Sequence, residues 1–125
     1  MAATATKPAL GEVLSAYLDS WNTDDPAERA RLLGFCVTDD VEFVDPITRI
    51  FGRADLAQHI AATRATYPGM SLAASRDPDA HNHVVRAPWL VRIDGKVVLR
   101  GLDVDEVGDD GRLGRIIGFF DREAE

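Results

Sequence analysis

In the stretch Asp39-Asp40-Val41-Glu42-Phe43-Val44-Asp45-Pro46, helical periodicity first gives way to alternation. Val41, Phe43 and Asp45 fall on one face of a short strand, Val41–Asp45, opposite Glu42 and Val44. Pro46 has no N–H to give a neighbouring strand, so it ends the element. A carboxylate therefore closes a strand face that is otherwise apolar.

Toward the N-terminus the pattern is helical. Leu10, Val13, Leu14, Tyr17, Leu18 and Trp21 recur at gaps of three and four, which predicts a helix opened by Pro8 and ended by Asn22-Thr23-Asp24. Tyr17 lies on its apolar face. Asp25 as N-cap, Pro26 at the first position and Glu28 three residues on predict a second helix with a capping box, running to about Cys36. Beyond the strand, Gly52-Arg53 leads into a third helix, Ala54 to about Thr66, with Leu56, Ile60 and Ala61 on one side. Tyr67-Pro68-Gly69 breaks it.

The remainder reads as strands and turns. Met70–Ser75 is followed by a polar turn from Arg76 to Asn82, then His83–Ile93, a tight turn at Asp94-Gly95, Lys96–Val107, a turn at 108–111, and Arg112–Phe120. This order is α+β and not βαβ alternation. It predicts a single domain over 1–125 with residues 1–7 and 122–125 loose: three helices packed on a strongly curved, mainly antiparallel sheet enclosing one pocket.

Composition fits one globular core. The chain has 125 residues, of which 46% are hydrophobic. No apolar run reaches membrane-spanning length, and MAATATKP lacks the charged and apolar regions of a secretory signal. A net charge of −7, with arginines such as Arg31, Arg53, Arg64 and Arg112 scattered, argues against nucleic acid and anionic membranes as partners. The single Cys36 rules out an internal disulfide and fits a reducing cytoplasm, the expected location; its helical context makes it a small buried hydrophobe.

Three stretches carry a family resemblance: Ala16-Tyr17-Leu18-Asp19-Ser20-Trp21-Asn22, the Asp39–Pro46 segment with Gly52-Arg53, and a closing run with Gly101-Leu102-Asp103, Asp109-Asp110-Gly111-Arg112-Leu113 and Phe119-Phe120. Over roughly residues 9 to 121 the chain resembles the NTF2-like superfamily, a cone-shaped fold that serves isomerases, polyketide cyclases, dehydratases, epoxide hydrolases and non-catalytic binders. Within it the chain is similar to bacterial ketosteroid isomerases, which carry a Tyr on the first helix, a catalytic Asp before a Pro on the first strand, and a second Asp on a later strand. Tyr17, Asp45 and Asp103 occupy matching places. Arg100 and Gly101, and the pair His81 and His83, depart from the isomerase pattern and point to the broader SnoaL-like group.

The resemblance implies a division of labour. Asp45 would be the base; Tyr17 and a protonated Asp103 would donate hydrogen bonds to the developing oxyanion. Strand parity agrees in part, since Val97, Leu99, Gly101, Asp103 and Asp105 share one face, and a carboxyl on an apolar face has its charged form disfavoured. Trp21, Phe43, Trp89 and Leu99 are expected to wall the pocket, with His83 as an extra acid or base. The reaction needs no cofactor, and two histidines, His81 and His83, are too few for a zinc site. The expected activity is acid–base chemistry on a small hydrophobic carbonyl compound, isomerisation first, with SnoaL-like cyclisation or a non-catalytic binding or interaction module as alternatives. Each carboxylate and Tyr17 also has a structural reading: Tyr17 as core, Asp45 as a turn cap, Asp103 paired with Arg86. An outer sheet face left partly apolar predicts a homodimer.

Overall fold

The structure is a computed structural model that describes residues 7–121; the expectation of loose ends falls, except for Lys7, outside them. The elements run α1 (Leu10–Asn22), α2 (Pro26–Cys36), β1 (Val37–Asp45), β2 (Thr48–Phe51), α3 (Arg53–Thr66), β3 (Ser71–Ala74), β4 (Asp79–His81), β5 (Val84–Ile93), β6 (Lys96–Val107) and β7 (Leu113–Phe120). Seven strands form one sheet in the order β2-β1-β7-β6-β5-β3, with β4 added on β5. All pairings are antiparallel except β1 with β7. The α+β class and three-helix count agree with the sequence reading. The sheet is mixed and unclosed.

Four local expectations are corrected. The first strand starts at Val37 and, past the Asp45–Pro46 corner, folds back as β2. Pro46 thus marks a hairpin, and Asp45 Oδ1 accepts the Ile47 N–H at 3.0 Å, the local bond that makes Asp a turn residue. The supposed polar turn at 76–82 contains β4, whose side chains are all exposed, so no apolar alternation betrays it. The capping box is half-formed: Asp25 accepts from Ala27 N–H at 3.0 Å, but Glu28 turns away to pair with Arg31. In α3, Leu56 and Ile60 are buried as expected, while Ala57 packs on the core in place of Ala61.

The core lies between the helices and the concave face of the sheet. Val13, Leu33, Cys36, Val41, Leu56 and Ile116 are each fully buried within it. Burial pushes the Cys36 thiol up to about 12, which suits a packing role.

Polar side chains lock α1 in place. Asn22 donates to the Leu72 carbonyl and accepts from the Leu72 N–H, completing the last turn of α1 against β3. Buried Arg29 donates to the carbonyls of Ser20 and Thr23, satisfying the C-terminal end of α1. Arg64 reaches from α3 to the Trp21 and Met70 carbonyls, 2.8 Å each, and to Asp24. The helix that carries Tyr17 and Trp21 is therefore tied to α2, α3 and β3. The arginines that looked scattered in sequence are in large part such staples.

Candidate active site

A cavity of about 540 Å³ opens between the helices and the concave sheet face. That is ample for a small-molecule ligand. Tyr17, Trp21, Phe43, Asp45, Trp89, Leu99 and Asp103 all line it. Among the described residues, no Lys or Arg lines it.

Its chemistry concentrates where three strands meet. Asp103 of β6 pairs in register with Gly118 of β7, and Val44 of β1 pairs with Ile117 next to it. Asp45 and Asp103 therefore flank Gly118 from opposite sides. A Cβ added at Gly118 would lie 3.2 Å from Asp103 Oδ1 and 3.3 Å from Asp45 Cβ. Glycine here is what leaves room for both carboxyl groups.

Asp103 accepts the Trp89 indole N–H on Oδ1 at 2.9 Å. Burial pushes its carboxyl up to about 7; the Trp89 hydrogen bond pulls it down, and the nearby Asp45 charge raises it again. The surface that Asp103 retains faces the cavity. Asp105, two residues on and on the same face, is 1% exposed, and burial with the neighbouring Asp103 raises it well above the usual range. Tyr17 is raised too, first by burial, then by Asp103, with the nearby Trp21 side chain acting in the opposite direction. Arg86, the structural partner considered for Asp103, is paired with Asp79 instead.

One glycine explains why the indole is aimed as it is. Trp89 pairs in register with Gly101, and a Cβ there would overlap the Trp89 ring and the Phe119 carbonyl oxygen. The ring lies across a strand position with no side chain, which carries its N–H to Asp103. Gly101, a departure from the isomerase pattern in sequence, is thus a requirement of this particular Trp–Asp contact. Trp89 and Gly101 are twelve residues apart, and only the β5–β6 register joins them.

Parity along β6 holds for Leu99, Asp103 and Asp105 but fails at its start. A bulge sets Val91 opposite Leu99 and Arg92 opposite Val97, so Val98 is the extra residue. Val98 lines the cavity beside Leu99 at its exposed edge, and Val97, exposed as well, does not line it.

His83 is corrected outright. It is exposed before β5 and is not among the lining residues; its carbonyl accepts from Val107 N–H at 2.7 Å. His81 is exposed as well and contacts the Asn82 amide through Nδ1. Among the described residues no group of three or more His, Cys, Asp or Glu could hold a metal ion.

The histidine that does line the cavity is His59, on α3. Its ring sits 5.5 Å from Phe43 and 6.0 Å from Trp21, centroid to centroid. Burial lowers its pKa while Asp45 acts to raise it. The helical spacing from Leu56 and Ile60 leaves His59 at the margin of the apolar face, and only the approach of β1 reveals what it faces.

No family model matches the chain, and no curated protein matches it. Solved structures do. A SnoaL-like family protein from Agrobacterium tumefaciens, provisionally named an isomerase, is 31% identical, with a TM-score of 0.83 over 88% of this chain and 95% of that one. A protein of unknown function with a cystatin-like fold from Methylobium petroleophilum is 22% identical, with a TM-score of 0.75 over 98% of this chain and 83% of its own. A protein from Sinorhizobium meliloti, provisionally named a polyketide cyclase, is 15% identical, with a TM-score of 0.68 over 86% and 93%. The last two speak for the fold alone. The chain belongs to the SnoaL-like family and has an NTF2-like fold.

No helix of the described residues is long and apolar enough to cross a membrane.

Proposed function

We propose that the chain is an acid–base enzyme acting on a small, uncharged, hydrophobic carbonyl compound, with ketosteroid isomerase-like proton transfer as its first reaction. One observation carries this reading: Asp45 and Asp103 converge on Gly118 inside an apolar cavity beside Tyr17. Moving a proton between carbons next to a carbonyl needs a base and donors for the enolate oxygen. Asp45 would take the proton. Protonated Asp103 and the Tyr17 hydroxyl would face the oxyanion, and a carboxyl titrating about 7 keeps a donating proton under neutral conditions. The absence of Lys and Arg from the lining favours a neutral ligand over a carboxylate or phosphate. The scheme calls for no cofactor.

A SnoaL-like cyclisation is the second reading, and His59 is the observation in its favour. An aldol closure uses the same base and oxyanion donors but must also protonate a second oxygen. His59 stands on the wall across from the sheet, near Asp45, and isomerisation has no use for it. A binding module without chemistry needs neither the two carboxyls nor this histidine.

The outer sheet face carries Leu102, Val104, Ile117 and Phe119 in adjacent register, and Phe119 is 52% exposed. A second copy of the chain covering this face accounts for it. No part of the reaction requires that contact.

The test is turnover of 5-androstene-3,17-dione, followed by appearance of the conjugated enone, in wild type and Asp45→Asn. Loss of an aligned base lowers rates on the order of 10²–10⁴-fold. A folded wild-type protein without turnover excludes steroid isomerisation and moves cyclisation forward.

A further inference from the structure

The main cavity is not alone. A second one, about 270 Å³, lies between the outer flank of α1 and strands β3 and β5. Gly11, Ser15, Ala74 and Arg76 stand at its exposed rim, while Tyr17, Trp89 and Asp105 form its buried floor. Tyr17, Leu72, Trp89 and Asp103 line both cavities, so the two share a wall. That wall holds the groups assigned above to the oxyanion.

Asp105 sets the character of this space. It is 1% exposed, and its Oδ1 has no hydrogen-bond partner among the described residues. A buried carboxyl oxygen left unpaired costs about 1–3 kcal/mol, so native proteins almost always satisfy one, often with water. A buried water needs room and two to four polar partners. The second cavity lies beside Asp105 and is lined also by Asp103, Tyr17 and Ser15.

We infer that the second cavity is a side port that carries water to Asp103 and Asp105 from the α1 flank, while an apolar ligand fills the main cavity. Protons on the Asp103–Asp105 pair then exchange with solvent without the ligand leaving. The route is separate from the main mouth, where Ile47, Tyr67 and Val98 are exposed. The port rests on the reading above only in assuming that the main cavity takes an apolar ligand.

Two substitutions at exposed rim positions test it. A Cβ at Gly11 meets nothing within 4 Å, so Gly11→Leu fits the helix and overhangs the port. Ser15→Phe fills the same opening one turn on. Neither residue lines the main cavity. Water-to-protein NOEs at the Ala87 methyl, which lines only the second cavity, report water inside it. The port requires these signals in wild type, their persistence with saturating 2-naphthol, and their loss in both variants. In parallel, with 2-naphthol bound, the Trp89 indole N–H should exchange with deuterium roughly ten-fold more slowly in the variants than in wild type. Absent water signals in wild type, their loss on adding 2-naphthol, or unchanged Trp89 exchange in both variants overturns the port. Failure of 2-naphthol to quench tryptophan fluorescence counts against the main-cavity reading alone, because the Ala87 signals and their loss in the variants still decide the port.

Discussion

Asp45 and Asp103 approach each other across Gly118: one methyl group on that glycine would touch Asp103 Oδ1 at 3.2 Å and Asp45 Cβ at 3.3 Å. The two carboxyls come from β1 and β6, strands that never pair, and β7 passes between them. Their meeting depends on the parallel β1–β7 contact and the antiparallel β6–β7 contact holding register at the same place.

Gly118→Ala is expected to act on this geometry directly. Overpacking a filled site costs about 1–3 kcal/mol and is relieved by moving neighbours. The least constrained neighbours are the two carboxyls. Turnover should fall at least roughly ten-fold, a 1.4 kcal/mol loss in the transition state, with substrate KM little changed. Steady-state kinetics beside urea unfolding checks this; unchanged turnover in a folded variant would show that the separation is not critical.

The raised Asp103 and Asp105 carboxyls make stability depend on pH. Both hold protons in the folded state that the unfolded chain releases near pH 4. Both contributions are full below pH 4; that of Asp103 is lost as pH rises toward and through about 7, and that of Asp105 is lost as pH rises from the ordinary carboxylate range through its own raised value. Stability should therefore fall by about 1.4 kcal/mol per pH unit for each group that is titrating differently in the two states. Urea midpoints between pH 4.5 and 7.5 will show the slope, and Asp103→Asn should reduce it.

Trp89→Phe removes the hydrogen bond that favours the charged form of Asp103. The Asp103 carboxyl should then titrate higher than in wild type. In the pH profile of turnover, the loss of activity on the alkaline side should shift to higher pH, although the peak rate falls. A shift to lower pH would mean the indole serves some other purpose.

Gly101→Ala should displace the same indole by a different route. Its methyl would overlap the Trp89 ring, so the ring must leave or the strands must part. Destabilisation of roughly 1–3 kcal/mol or more is expected, with a change in tryptophan emission. Emission and stability like those of wild type would refute the close packing of Trp89 on Gly101.

Phe119→Arg places a charge in the centre of the outer face. If a second copy covers that face, sedimentation will show a dimer in wild type and a monomer in the variant. A wild-type monomer removes the proposal.

Much of this was legible along the chain because local rules dominate there. The gaps from Leu10 to Trp21 and the Val41–Asp45 alternation suffice to put Tyr17 and Asp45 on apolar faces. Other features arise from register between distant strands and leave no local trace. Gly118, Gly101 under Trp89, and the bulge at Val98 are of this kind. His59 and His83 mark the limit most clearly. His83 adjoins a strand next to a partner histidine, yet lies in solvent; His59 sits at the edge of an ordinary helical stripe, yet faces Asp45 because α3 packs on β1.

We propose that a neutral carboxylic acid, Asp103, faces a base, Asp45, within the apolar cavity. The most direct test is a ¹³C NMR titration of the aspartate side-chain carboxyls, with Asp103→Asn used to assign the signal. The Asp103 carboxyl is expected to be half-protonated at about pH 7. A midpoint near 4, the ordinary value for an aspartate in water, would mean that Asp103 is ionised at neutral pH and cannot donate to an oxyanion.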